Sequence, residues 1–253
     1  MKRIVFIVLT IIAFASLSAG QSNSYTTVDD TERVAESMSE KSAVLTVDAD
    51  NAQKRREILQ SYRFDDDVNQ ILIISHTTEW DAKAWFYEKQ EVNNAWTLTF
   101  KTDAFIGKNG MNKTQEGDSK TPVGDYKITG AFGILPNPGT SLSYYDIKAT
   151  TYACDEACEY YNQIIDTQAT GHDCNGEEMY KLSPEYNYGL TTNYNEENIY
   201  PNGSAIFIHC KGQKPFTGGC IALDEEYMEM ILKSAEEGMH IYLDEYYSEP
   251  SNE

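Results

Sequence analysis

Between Phe207 and Leu223 the chain reads FIHCKGQKPFTGGCIAL. An apolar strand ends in a histidine, a Lys- and Gly-containing loop follows, and the loop meets Cys220 behind Gly218 and Gly219. These residue types suit acyl transfer through sulfur. A free thiol titrates near ~8.5 and is mostly protonated at neutral pH, so it needs a neighbour to take its proton. His209 is the candidate base, since the 210–219 loop can return the chain to the mouth of the strand. Glycines permit backbone angles that let amide N–H groups converge. The amides of Gly219 and Cys220 are therefore candidate donors to the oxyanion formed when a thiolate attacks a carbonyl. The competing reading is a Cys210–Cys220 disulfide closing the loop. Strand alternation argues against it, because adjacent residues His209 and Cys210 point to opposite faces.

The remaining cysteines are Cys154, Cys158, Cys174 and Cys210, five in all with Cys220. An odd number leaves at least one sulfur without an intramolecular partner. With Cys220 free, the other four can form two pairs, although counting does not identify the free sulfur. Cys154, Cys158, His172 and Cys174 are also of the types that bind zinc. Their spacing, C-x3-C-x13-H-x-C, lacks the usual paired knuckles, and disulfides are the expectation in an oxidising compartment. Residues 172–178 carry too few alternating oxygen ligands for a calcium loop. No metal and no cofactor is expected, and no nucleotide-binding fingerprint is present.

The elements that must position these groups are read from periodicity. Residues 69–76, 83–90 and 95–107 are rich in Ile, Trp, Phe and Thr with short polar connections, which predicts three strands in a meander. A Gly- and Lys-rich loop over 107–133 leads into a strand near Tyr126–Ile128. Residues 136–203 form a long polar, Tyr-rich excursion with one strand expected over 186–194. A strand over 204–210 places Phe207 and His209 on one face and Ile206 and Ile208 on the other. A helix is predicted over 224–238, with Asp224 as N-cap, an apolar stripe of Tyr227, Met228, Ile231, Leu232 and Ala235, and Gly238 at its end. A last strand covers 239–243, and a short helix is expected within 48–63, capped by Asp48 or Asp50.

The formal net charge of −20 argues against nucleic-acid binding, which depends on cationic neutralisation of phosphate. At the N-terminus Lys2 and Arg3 precede an apolar run from Ile4 to Ala15 and then small residues, the layout of a secretory signal peptide. No cysteine follows that run to carry a lipid anchor, and no other segment is apolar enough to span a membrane. The expected organisation is a signal peptide at 1–20, an acidic spacer with a short helix at 21–66, a catalytic domain at 67–247 and a tail at 248–253. The mature chain is expected to be an extracytoplasmic monomer, secreted to the cell wall or periplasm.

The ordered set of early strands, GKNG…EGDSKTPVGDYKI, GSAIFIHC and TGGCIAL followed by a helix resembles the L,D-transpeptidase catalytic domain, or YkuD-like family, over about Gln70 to Leu243. The resemblance implies a mainly β, sandwich-like fold with a few short helices, Cys220 as nucleophile and His209 as base. It implies peptidoglycan stem peptides as substrate, an acyl-enzyme with loss of D-alanine, and resolution by an amine of another stem. The chain departs from the commonest family pattern, Ser-His-Gly-Cys with arginine two residues on. Here Thr217, Gly218 and Gly219 precede Cys220, and Ala222 stands at the arginine position. Lys211, Lys214 or Lys108 are candidate replacements for that cation. Thr217, Gly218, Tyr188 and Tyr194 are candidate substrate contacts. A hydrolase that trims the same stems (carboxypeptidase or endopeptidase) and a non-catalytic module that binds wall peptides are the competing functions.

Overall fold

The computed structural model describes Ala49 and residues 51–245. The expected signal peptide, most of the spacer and the tail lie outside these residues, as do Asp48 and Asp50.

The first strands form the expected meander. β1 (Gln70–Thr78), β2 (Asp81–Gln90) and β3 (Ala95–Phe105) pair antiparallel in sequence order. β4 (Gly124–Gly133) follows the Gly-rich loop. The excursion then carries β5 (Tyr144–Asp146), β6 (Thr151–Ala153), β7 (Ile164–Asp166), the one-turn helix α2 (Thr167–Thr170) and β8 (Glu177–Glu178). β9 (Gly189–Thr192), β10 (Phe207–Cys210), β11 (Ile221–Leu223), α3 (Glu225–Ser234) and β12 (Met239–Asp244) complete the order. A helix α1 covers residues 51–61.

The main sheet has nine strands in the order β12-β1-β2-β3-β11-β10-β9-β4-β5. β12 also pairs with β4, His240 opposite Lys127 through Leu243 opposite Gly124, so the sheet closes on itself like a barrel. Closure leaves no free edge within the ring. A separate three-stranded sheet, β7-β6-β8, is built from the excursion.

Period-two alternation sorts side chains between the interior of the ring and its exterior. Leu72, Ile74, Ile208, Cys210, Ile221, Leu223, Ile241 and Leu243 face the interior core. Met228, Ile231 and Leu232 of α3 join that core, each fully buried. Burying a side chain of this size contributes about 1.5–3 kcal/mol. On the outside, Ile71, Ile73 and Trp85 pack under Ile58 and Leu59 of α1. Phe207 and Cys220 lie in a third cluster with Phe132, Met179 and Tyr186, beneath the excursion.

Three expectations are corrected in detail. Asp224 sits at the N-cap of α3 but its side chain does not cap; it pairs with Lys211 Nζ at 3.0 Å. The helix ends at Ala235 rather than Gly238, which instead takes a positive φ of 90° leading into β12. The cysteines do not form two pairs. Cys154 bonds to Cys174, while Cys158, Cys210 and Cys220 are free. Cys210 points into the barrel core on the face opposite Cys220, which is why neither a Cys210–Cys220 bond nor a bond to the excursion forms.

Candidate active site

The site is assembled on the outer face of β10 and β11. These strands run parallel with Ile208 opposite Ile221 and His209 opposite Ala222. Continuing that register by one residue sets Cys220 beside Phe207, so Cys220 and His209 project from the same face of adjacent strands. Both line one cleft of about 260 Å³, together with Thr217, Gly218, Tyr186 and Ala222.

Local hydrogen bonds explain how the loop reaches this place. Thr121, fully buried, accepts from the Gly107 amide at 2.8 Å and donates to the Gly219 carbonyl at 2.7 Å. Thr217 N donates to Ile106 O at 2.9 Å, and Lys108 N to Thr217 O at 3.0 Å. Gly219 has φ of 149°, and a Cβ there would lie 2.8 Å from the Lys120 carbonyl oxygen. Both the conformation and the space demand glycine. The Gly219 amide, expected as an oxyanion donor, is engaged: it donates to Thr217 Oγ1 at 3.1 Å, and Thr217 Oγ1 donates in turn to the Cys220 carbonyl at 2.6 Å.

The thiol and the imidazole each hold a defined partner. Cys220 Sγ–H donates to the Ala205 carbonyl at 2.9 Å, and the Phe207 amide donates to the sulfur at 3.4 Å. Ala205 presents that carbonyl from a left-handed conformation, φ 51°, unusual for a residue with a side chain. Its amide is fixed by Asn162 Oδ1 at 2.9 Å, and Asn162 donates to the carbonyls of Tyr194 and Asn195. His209 Nδ1–H donates to the Cys210 carbonyl at 2.8 Å. In the neutral ring this leaves Nε2 as the lone-pair nitrogen. Tyr186 meets the ring edge-on at 5.4 Å between centroids.

The electrostatics favour neutral partners. Burial, reinforced by the charge of Glu177, pushes the Cys220 thiol up to about 12. Burial also lowers His209 from its ordinary value near 6.5, against the Cys210 carbonyl and Glu185, which raise it.

One wall of the cleft is acidic: Glu116, Asp155, Glu177 and Glu185 line it. Glu116 Oε2 accepts from Tyr161 OH at 2.6 Å and Ser204 Oγ at 2.7 Å. Glu177 accepts from Tyr186 OH, and burial raises its carboxyl above the ordinary range. Lys113 and Lys214 are the cleft's cations. Lys113 is clamped to Asp118 at 3.0 Å. Burial would raise Asp118, but the amides of Thr114, Lys120 and Gln115 with Lys113 outweigh it and hold the carboxyl at about 2.

Three expected contacts lie elsewhere. Lys211 is paired with Asp224 and stacked 4.7 Å over the Phe105 ring, on a different surface hollow. Tyr188 belongs to the barrel-core cluster, and Tyr194 packs on that cluster with its hydroxyl on the Asn202 carbonyl. β9 begins only at Gly189, so strand parity does not extend back to Tyr188, and Tyr186 is the tyrosine of the cleft. Lys113, Glu116, Asp155, Glu177 and Ala205 carried no local signal, because the loops that deliver them meet the strand only in the folded chain.

This geometry defines a class: a β-barrel-like protein with a thiol and an imidazole on one face of paired parallel strands, lining one cleft. Residues 71–243, well over half of the chain, match the model of the L,D-transpeptidase catalytic domain. The chain belongs to this family, YkuD. The solved structures include a similar one, Mycobacterium tuberculosis L,D-transpeptidase 1, at 13% identity and a TM-score of 0.29, covering 69% of this chain. The chain spans 62% of the length of that protein. The comparison with curated proteins returned no match. Among the described residues no helix is long and apolar enough to cross a membrane.

Proposed function

We propose that this chain is a secreted L,D-transpeptidase that forms an acyl-enzyme on Cys220 with peptidoglycan stem peptides. The observation that carries the reading is the pair of side chains, an unbridged Cys220 and His209 on one face of adjacent strands, lining one cleft. In this reaction His209 Nε2 takes the thiol proton as sulfur attacks the stem carbonyl, giving a tetrahedral oxyanion. The Cys220 amide stabilises that charge, and Gly219 joins it only by giving up Thr217. Collapse breaks the amide bond. The imidazolium returns its proton to the departing amine of D-alanine, leaving a thioester. An amine of a second stem then attacks the thioester and restores the thiol.

The acidic wall suits a cationic amine at the cleft, and Ala222 at the family's arginine position leaves Lys214 as the cation for a carboxylate, since Lys113 is held by Asp118. A second reading has its own support. A buried thiol that keeps its proton to about 12 is the opposite of the usual reactive cysteine, which fits a wall-peptide-binding module.

Purified chain incubated with tetrapeptide muropeptides and followed by mass spectrometry separates these readings. The transpeptidase gives an adduct on Cys220 and crosslinked dimers. Trimmed monomers mean hydrolysis of the same thioester. Binding with neither adduct nor product overturns the enzymatic reading.

A further inference from the structure

The excursion carries a second group of sulfur and nitrogen atoms, remote in sequence from the strand that holds Cys220. Cys154 follows β6, Cys158 lies in the turn after it, His172 follows α2, and Cys174 precedes β8. β6 and β8 pair antiparallel, Tyr152 opposite Glu178 and Ala153 opposite Glu177, which brings Cys154 and Cys174 to a Cα separation of 6.1 Å. Folding thus supplies the proximity that the linear spacing lacks. The ligand atoms of Cys154, Cys158 and His172 lie within 4.8 Å of one another, and Cys174 is bonded to Cys154.

Two independent observations point to a ligand here. The His172 side chain is partly buried, and its Nε2 atom is shielded from solvent with no hydrogen bond among the described residues. Glu156 Oε1 stands 3.7 Å away, an ion-pair contact when the ring is protonated and too long for a hydrogen bond to the neutral ring. In addition, two of the sulfurs accept backbone amides two residues on: Tyr160 N donates to Cys158 Sγ at 3.4 Å, and Gly176 N to Cys174 Sγ at 3.3 Å. Such donors stabilise negative sulfur and orient it, as the outer contacts of a metal site do. Gly176 is required for the second turn, since a Cβ there would lie 2.1 Å from the Ala153 carbonyl oxygen.

We propose that, once the Cys154–Cys174 bond is reduced, Cys154, Cys158, His172 and Cys174 bind one Zn²⁺ in a tetrahedral site of three sulfurs and one nitrogen. Zinc–sulfur bonds of about 2.3 Å and a zinc–nitrogen bond of about 2.0–2.1 Å set the ligand atoms of a tetrahedron less than about 4 Å apart. Cys154, Cys158 and His172, within 4.8 Å of one another, must draw in to meet this, and the Cys154 and Cys174 sulfurs must part once their bond is broken. Reduction takes two electrons and two protons from a dithiol, which becomes a disulfide. Zinc then displaces the three thiol protons. The disulfide and the metal are alternative clasps on one wall, and that wall reaches the cleft through Asp155, next to Cys154, and Glu177.

The test uses the full chain reduced with a dithiol and freed of it without air. Zinc is titrated against a chromophoric chelator, and Co²⁺ is used as a spectroscopic substitute. The expected result is one equivalent of zinc per chain, and thiolate-to-cobalt charge-transfer absorption with the d–d bands of a tetrahedral ion. Cys158→Ser and His172→Ala leave the disulfide-forming pair intact, so their folding is checked in the oxidised state. Each should weaken zinc at least about tenfold, while Cys210→Ser and Cys220→Ser should not. Substoichiometric zinc, octahedral cobalt spectra, unchanged binding in Cys158→Ser and His172→Ala, or loss of binding in the Cys210 and Cys220 variants would each overturn the proposal.

Discussion

Cys210 and Cys220 are both buried thiols, on opposite faces of the sheet that closes the barrel, and burial pushes both up to about 12. Their surroundings differ. Cys210 Sγ sits in the apolar interior, 3.6 Å from the Tyr188 carbonyl. Cys220 opens on a cleft that holds an imidazole, two lysines and four carboxylates. Burial alone therefore does not distinguish a packing thiol from a candidate nucleophile. The difference lies in what faces the sulfur: among the described residues the imidazole of His209, on the neighbouring strand, lines the cleft on the Cys220 side.

The largest effect that sharpens this comparison is the loss of function on one face alone. Cys220→Ala should abolish the muropeptide adduct seen by mass spectrometry, and Cys210→Ala should retain it at a stability cost of about 1 kcal/mol, measured by urea unfolding. An adduct surviving in Cys220→Ala would remove Cys220 as nucleophile. Next, His209→Ala should lower kcat/KM by about 10² or more, the usual contribution of a general base; full activity would reassign the base.

The pH profile follows from the direction of the His209 shift. The base works when neutral, and its folded value lies below 6.5. Activity should stay level as pH falls to 6.5 and then drop about tenfold per unit only below the depressed value. A midpoint above 6.5 would mean an ion pair instead. Stability follows the same group: between 6.5 and the folded value the unfolded chain binds the extra proton, so stability is lost as pH falls through that window. A smaller effect is expected from Glu177→Gln. Removing this charge lowers the Cys220 thiol and should speed its alkylation by iodoacetamide a few-fold at pH 8, leaving Cys210 unchanged. Equal acceleration of both sulfurs would mean loosened packing. The smallest effect is Ala205→Gly. Relief of the left-handed backbone is offset by the greater freedom of the unfolded chain, and the melting temperature should move by only a degree or two.

The two faces of β10 were legible in the sequence because alternation is local: Phe207 and His209 outward, Ile208 and Cys210 inward. The same holds for the meander and for α3, whose stripe of Met228, Ile231 and Leu232 is buried as its spacing requires. The wall of the cleft was not legible. Glu177 arrives through the β6–β8 pairing, Glu116 through the loop before β4, and Ala205 through Asn162, each a contact between distant segments. Lys211 misled because its charge was visible and its partner Asp224, across the end of the strand, was not. The cysteine count permitted two disulfides, but the inward direction of Cys210 and the Cys154–Cys174 pairing leave one.

The ring of hydrogen bonds from β12 through β1, β2, β3, β11, β10, β9 and β4 back to β12 passes through no residue of β6, β7 or β8. The strand pairings under the sulfur and the imidazole thus close without that segment, whose Asn162 bears on the site through the Ala205 amide. Lengthening or recharging that roof away from Asn162 would alter which molecule is admitted while the ring of strands stays closed, so selectivity in this architecture is free to diversify without refolding the barrel.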